Sequence, residues 1–221
     1  MSRTRTTRRI LATAASLLTL GLLASCNIFG PAFFLVHGPG SVEAEYELDP
    51  TRSTVILIDD PTNRVTRRRY RGIIAETAQN VLLQKKVIDD GKMIDGRAAV
   101  TMAATATSQN PLSIQDIGEA VRADIVIYAL VSEFRGSDFA DKPSPSVTLH
   151  VKVIDVVTGE RVWPEQPEGY TLSLKMPTAP GNLATSRADM ARIEEDLAAF
   201  TGLGLSQLFY SVERPQSVRL P

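Results

Sequence analysis

Two stretches of this chain are apolar on nearly every residue rather than on alternate ones. Residues 54–58 read Thr-Val-Ile-Leu-Ile, and residues 125–131 read Ile-Val-Ile-Tyr-Ala-Leu-Val. A strand that is hydrophobic toward both faces belongs in the middle of a sheet covered on both sides, usually by helices. The residues between and after these runs supply the helices. From Thr66 the apolar period lengthens, and Tyr70, Ile73, Ile74, Thr77, Val81 and Leu82 share one helical face while Glu76, Gln79 and Lys85 lie off it. Lys85 and Lys86 suit the last turn, where positive charge is favoured. Residues 97–106 are alanine-rich and predict a short helix. Ser113-Ile114-Gln115-Asp116 has the form of a capping box, followed by Ile114, Ile117, Ala120 and Val121 as a buried stripe.

Other segments change period again. Val147, Leu149, Val151 and Val153 alternate with Thr148, His150 and Lys152, which predicts an antiparallel partner with one wet face. Thr158-Gly159 turns the chain into Arg161, Val162 and Trp163, and Tyr170, Leu172, Leu174 and Met176 complete the sheet. Val42, Ala44, Tyr46 and Leu48 alternate with Glu43, Glu45 and Glu47, so an edge strand is predicted there, open to a partner's strand. Val87-Ile88 reads as a short strand before the turn Asp89-Asp90-Gly91. Ser186 caps a last helix toward Tyr210, with Ile193, Leu197, Phe200, Leu205, Leu208 and Phe209 on its apolar face. Gly202 and Gly204 inside it weaken it by about 1 kcal/mol each, a cost that close packing would explain. This order of elements predicts an α/β fold: a single domain over 42–212, with a mixed parallel/antiparallel sheet of about five or six strands, helices packed on it and a C-terminal helix. Residues 213–221 form a tail.

The N-terminal residues have a different character. Arg3, Arg5, Arg8 and Arg9 precede an uncharged run over residues 10–23, and Leu23-Ala24-Ser25 leads into Cys26, the one cysteine of the chain. Fourteen residues fall short of the roughly 20 that a spanning helix needs, so the run suits an export signal. Thr7-Arg8-Arg9-Ile10-Leu11 fits a twin-arginine pattern loosely, and general export is the better match. The stretch resembles the bacterial lipoprotein signal. That resemblance implies cleavage before Cys26, lipidation of its sulfur, a signal peptide over 1–25 and a lipidated tether over 26–41. Asn27 then implies the periplasmic face of the outer membrane, with the inner membrane as the alternative. Acyl chains bind at roughly 0.8 kcal/mol per buried methylene, enough for a lasting anchor. Taking four arginines from 24 basic residues leaves 20 against 25 acids, a formal charge of −5. Such a balance predicts no nucleic-acid partner.

Catalytic chemistry finds little support. Nucleophilic catalysis needs a nucleophile, a base and an orienting group; Cys26 is assigned to the anchor, His37 lies in the tether and His150 faces outward. The tether's Gly38-Pro39-Gly40 is a linker signal. Asp59 and Asp60 follow a central strand, where ligands of α/β sheets bind. With Asp89, Asp90 and Asp95 they form an alternative reading as a small-ligand or divalent-metal pocket, against their ordinary use as turn formers. Arg64, Arg67, Arg68, Arg69 and Arg71 crowd the first turn of a predicted helix, where positive charge opposes the helix dipole. They are the candidate surface for an acidic partner, against a plain solvated face.

In Ile117-Gly118-Glu119-Ala120-Val121-Arg122-Ala123-Asp124-Ile125-Val126-Ile127-Tyr128 a helix feeds a strand through Ala-Asp. In Val153-Ile154-Asp155-Val156-Val157-Thr158-Gly159-Glu160-Arg161-Val162-Trp163 two strands flank a turn. Through these two motifs residues 54–176 resemble a group of envelope domains that includes the curli secretion lipoprotein CsgG, the amino-terminal domain of TolB and the penicillin-binding-protein activator LpoB. Asp155 can bond the turn's amides, Gly159 suits its dihedrals and Trp163 can bury on the return. The resemblance implies no catalysis and no cofactor, but partner binding in the periplasm, and it transfers no individual binding residue. The secretion-channel members insert long hairpins into the membrane; here residues 135–146 carry Asp138, Asp141, Lys142, Pro143 and Pro145, which favours an adaptor over a pore. The expectation is a non-enzymatic binding module of envelope assembly, secretion or transport, held by its lipid anchor, with the oligomeric state open.

Overall fold

Both apolar runs end up where their composition requires, side by side and parallel in the middle of a sheet. The computed structural model describes residues 41–106, 111–136, 145–177 and 186–213. Its elements are β1 (Ser41–Val42), β2 (Thr54–Asp59), α1 (Arg68–Gln84), β3 (Met93–Ile94), α2 (Gly96–Ala103), α3 (Ile114–Val121), β4 (Ile125–Arg135), β5 (Ser146–Asp155), β6 (Arg161–Trp163), β7 (Tyr170–Lys175), α4 (Arg187–Ser206), a 3-10 turn over Gln207–Phe209 and β8 (Val212–Glu213). The chain divides into two units. Glu43–Ser211 holds the helices and a six-stranded sheet, ordered β3-β2-β4-β5-β6 with β7 also on β5. The described part of the other unit is the antiparallel pair of β1 with β8.

In the larger unit β2 runs parallel to β3 and β4, and β5 runs antiparallel to β4, β6 and β7. The fold is thus α/β with a mixed sheet and a long C-terminal helix, as the periods of the sequence predict. Successive side chains of a strand point to opposite faces, and two cores result. On one face Ile56, Ile58, Ile127 and Ala129 join the inward row of β5, which is Val147, Leu149, Val151 and Val153. Together they meet Tyr70, Ile74 and Leu82 of α1 and Leu197 and Leu205 of α4. On the other face Val55, Leu57, Val126 and Ile154 meet Ala99 of α2 and Ile117 of α3.

Several local expectations change. Residues 43–48 form no strand: the alternation describes their burial, with Leu48 buried and the glutamates exposed, but the amides of Glu45 and Tyr46 both donate to the Leu208 carbonyl. Tyr46 sits 5.9 Å from the Trp163 ring, and Trp163 also meets Tyr170 and Phe209. Aromatic packing, not sheet pairing, buries this segment, so it offers no open sheet edge. The short strand is Met93–Ile94 rather than 87–88; Ile88 is buried in a bend. The first long helix begins at Arg68, and Lys85 is its C-cap. In α3 the capping box of Ser113 and Asp116 is present, whereas Ala120 is exposed. Residues 137–144, most of the charged connection, lie outside the described residues, as do His37 and Cys26.

The glycines of α4 have a packing reason. A Cβ on Gly202 would lie 2.5 Å from the Ile74 carbonyl oxygen, and one on Gly204 would run into Leu174 Cδ1. Only a residue without a side chain lets α4 approach α1 and β7 this closely.

Candidate functional site

The acids at the end of β2 have local partners. Both carboxylate oxygens of buried Asp60 accept backbone amides, from Arg64 at 2.7 Å and Val65 at 2.9 Å. Asp59 accepts the Tyr128 hydroxyl at 2.7 Å; burial, then this carboxylate, pushes the Tyr128 phenol up. Asp89 and Asp90 lie in the turn at the opposite end of β2, where the Asp89 amide donates to the Pro50 carbonyl, and Asp95 caps α2 through the Arg97 amide. The fold therefore does not gather these five acids at one place. Among the described residues no group of three potential metal ligands forms. His150 faces Thr171 across the β5–β7 pair, its Nδ1 3.3 Å from the threonine hydroxyl.

Arg68, Arg69 and Arg71 lie in the first turn of α1, which holds no acid, Arg67 is its N-cap and Arg64 precedes it in the loop. Arg64, Arg67, Arg68 and Arg69 are exposed and Arg71 is half-buried. Their uses differ. Arg69 pairs with Glu195 at 2.7 Å and lies over the Tyr70 ring, so it ties α1 to α4. The Arg64 side chain donates to Thr62. Arg64, Arg67 and Arg68 have no carboxylate within ion-pair range among the described residues.

Arg68 and Arg71 also line a cleft of about 360 Å³ between α1 and α2. Its α1 wall continues through Glu76, Gln79 and Asn80, and its α2 wall carries Asp95, Arg97 and Thr101. A Cβ on Gly96 would meet the Ile56 carbonyl oxygen at 2.7 Å, so the glycine seats α2 against β2 and brings Arg97 beside α1. Arg97 reaches Glu76 across the cleft at 3.6 Å. The Arg68 and Arg71 half of this cleft follows from the arginine cluster. Sequence reasoning misses the α2 half, because its one signal, a glycine at a helix start, does not say what it packs against.

A second polar cluster, also missed from sequence, is structural. Arg52 grips Asp155 with two bonds, of 2.7 and 3.0 Å, and reaches the Asp124 carbonyl. Asp124 accepts the amide and hydroxyl of Ser53. Asp155 also accepts the turn amides of Val157 and Thr158. The Arg52 guanidinium, aided by those amides, holds its carboxyl down at about 2. Both aspartates of the two sequence motifs thus join the ends of β2, β4 and β5.

No protein-family model matches the chain, and no curated protein matches it. Solved structures show remote likeness. A PelC dodecamer from Paraburkholderia phytofirmans matches at 17% identity over 76% of this chain and 96% of that one, with a TM-score of 0.41. Lipoprotein GNA1162 from Neisseria meningitidis matches at 14% over 66% and 94%, with a TM-score of 0.37. The LpoB C-terminal domain from Salmonella enterica matches at 18% over 57% and 85%, with a TM-score of 0.33. At this level of identity the likeness is one of outline and says nothing of activity.

Proposed function

We propose that the chain is a non-enzymatic envelope lipoprotein, anchored through Cys26 at the periplasmic face of the outer membrane. It binds a protein of envelope assembly, secretion or transport through the arginine-bearing start of α1. The observation that supports this reading is the exposure of Arg67 and Arg68 at a helix end that disfavours positive charge, with exposed Arg64 in the loop before it, and without a described carboxylate in range of any of the three. An acidic surface brought to this end relieves the repulsion and gains charge-assisted hydrogen bonds. Site-directed photo-crosslinking from position 62, exposed beside the cluster, in intact cells tests it. One specific partner band is expected, lost in Arg64→Ser/Arg67→Ser while the melting temperature holds. No band, or a band unchanged in the variant, would overturn the assignment of this surface.

A further inference from the structure

We infer that the cleft between α1 and α2 binds a sugar carrying a phosphate. The inference deepens the reading above and rests on it in sharing Arg68 and Arg71, but it adds a ligand of different size and chemistry. The cleft's volume of about 360 Å³ is that of a small-molecule pocket, sufficient for a sugar ring with one substituent.

Its two ends differ. Arg68 and Arg71 stand at one end, on the first turn of α1, where guanidinium groups and the helix's own positive pole act on an anion in the same sense. Glu76, Gln79 and Asn80 stand further along the same wall, presenting acceptors and donors of the kind that pair with neighbouring hydroxyls. Arg97 lies opposite, next to Asp95, whose carboxylate is taken up by the Arg97 amide, and its exposed side chain is 3.6 Å from Glu76. Such a contact is worth little, so its guanidinium can turn to a phosphate. Gly72 lies in the lining, and nothing is within 4 Å of the place its Cβ would take. The open space over that glycine is the cleft itself.

Calorimetric titration of the detergent-solubilised full chain tests this, with glucose 6-phosphate, glucose and inorganic phosphate as probes. Saturable binding of glucose 6-phosphate is expected, at least about tenfold tighter than either fragment, since each lacks one end's contacts. Arg68→Ser/Arg71→Ser should weaken it roughly tenfold or more, and Gly72→Leu should abolish it by filling the cleft. Thermal melting confirms that each variant folds; the serine variant, altered at exposed or half-buried positions, stands in if the leucine does not. An oligosaccharide ending in the same phosphate, titrated alongside, separates a free sugar phosphate from a glycan end. No saturable binding, equal binding of phosphate alone, or binding indifferent to Arg68→Ser/Arg71→Ser would overturn the inference. Crosslinking from position 62 is read separately, because Arg64→Ser/Arg67→Ser changes neither cleft wall.

Discussion

Alanine at Gly202 and at Gly72 should move stability in opposite directions. Both positions lie within helices, and alanine gains up to about 1 kcal/mol of helix propensity over glycine at either. At Gly72 nothing stands within 4 Å of the new methyl, so most of that gain survives. At Gly202 the methyl would lie 2.5 Å from the Ile74 carbonyl oxygen and 2.7 Å from Thr77 Cβ. A backbone carbonyl within α1 cannot swing aside, so α4 must retreat and loosen the contacts of Leu197, Thr201 and Leu205. Overpacking of this kind costs about 1–3 kcal/mol, and a rigid neighbour puts it at the upper end. The net is a loss of roughly 2 kcal/mol for Gly202→Ala against a gain of about 0.5–1 for Gly72→Ala. At about 2–4 °C per kcal/mol for a domain of this size, thermal melting should show a fall of roughly 4–8 °C and a rise of roughly 1–4 °C. A rise in both variants would refute the close approach of α1 and α4.

Asp155 gives a pH dependence. Its folded-state value is lowered to about 2, so its contribution is fully present above about pH 4 and fades as pH falls toward 2. After solvent screening it amounts to about 1–2 kcal/mol, and urea melts of Asp155→Asn should show a shallower loss across that window than the parent. Asp60→Ala strands the amides of Arg64 and Val65 beside a buried site; a loss of about 2–3 kcal/mol is expected by urea unfolding. Calcium or magnesium should not raise the melting temperature of the parent chain, because both Asp60 oxygens already hold amides; a rise abolished by Asp59→Asn would restore the metal reading.

What can be read from the sequence is whatever is local. Continuous apolar runs mark central strands, and Ser113 and Ser186 mark helix starts through contacts three residues away. Period alone reports which side chains are buried, not what the backbone pairs with. That is why the alternation over 43–48 suggests a strand, although Tyr46 is held by Trp163 and its amide by Leu208. Ile88 misleads for the same reason. Partners distant in sequence leave no such trace: Arg52 and Asp155 stand 103 residues apart, and Arg97 meets the α1 wall only after the chain has passed through β3. The arginine cluster is visible because it is contiguous; the cleft it opens into is not.

The fate of Cys26 decides whether the protein is held at a membrane. Metabolic labelling with radioactive palmitate, followed by separation of outer and inner membranes, measures it directly. The parent chain should carry the label in the outer-membrane fraction, and Cys26→Ser should carry none and leave that fraction. An unlabelled parent chain, or a serine variant that stays equally membrane-bound, would contradict the assignment of this protein to the envelope as a lipid-anchored module.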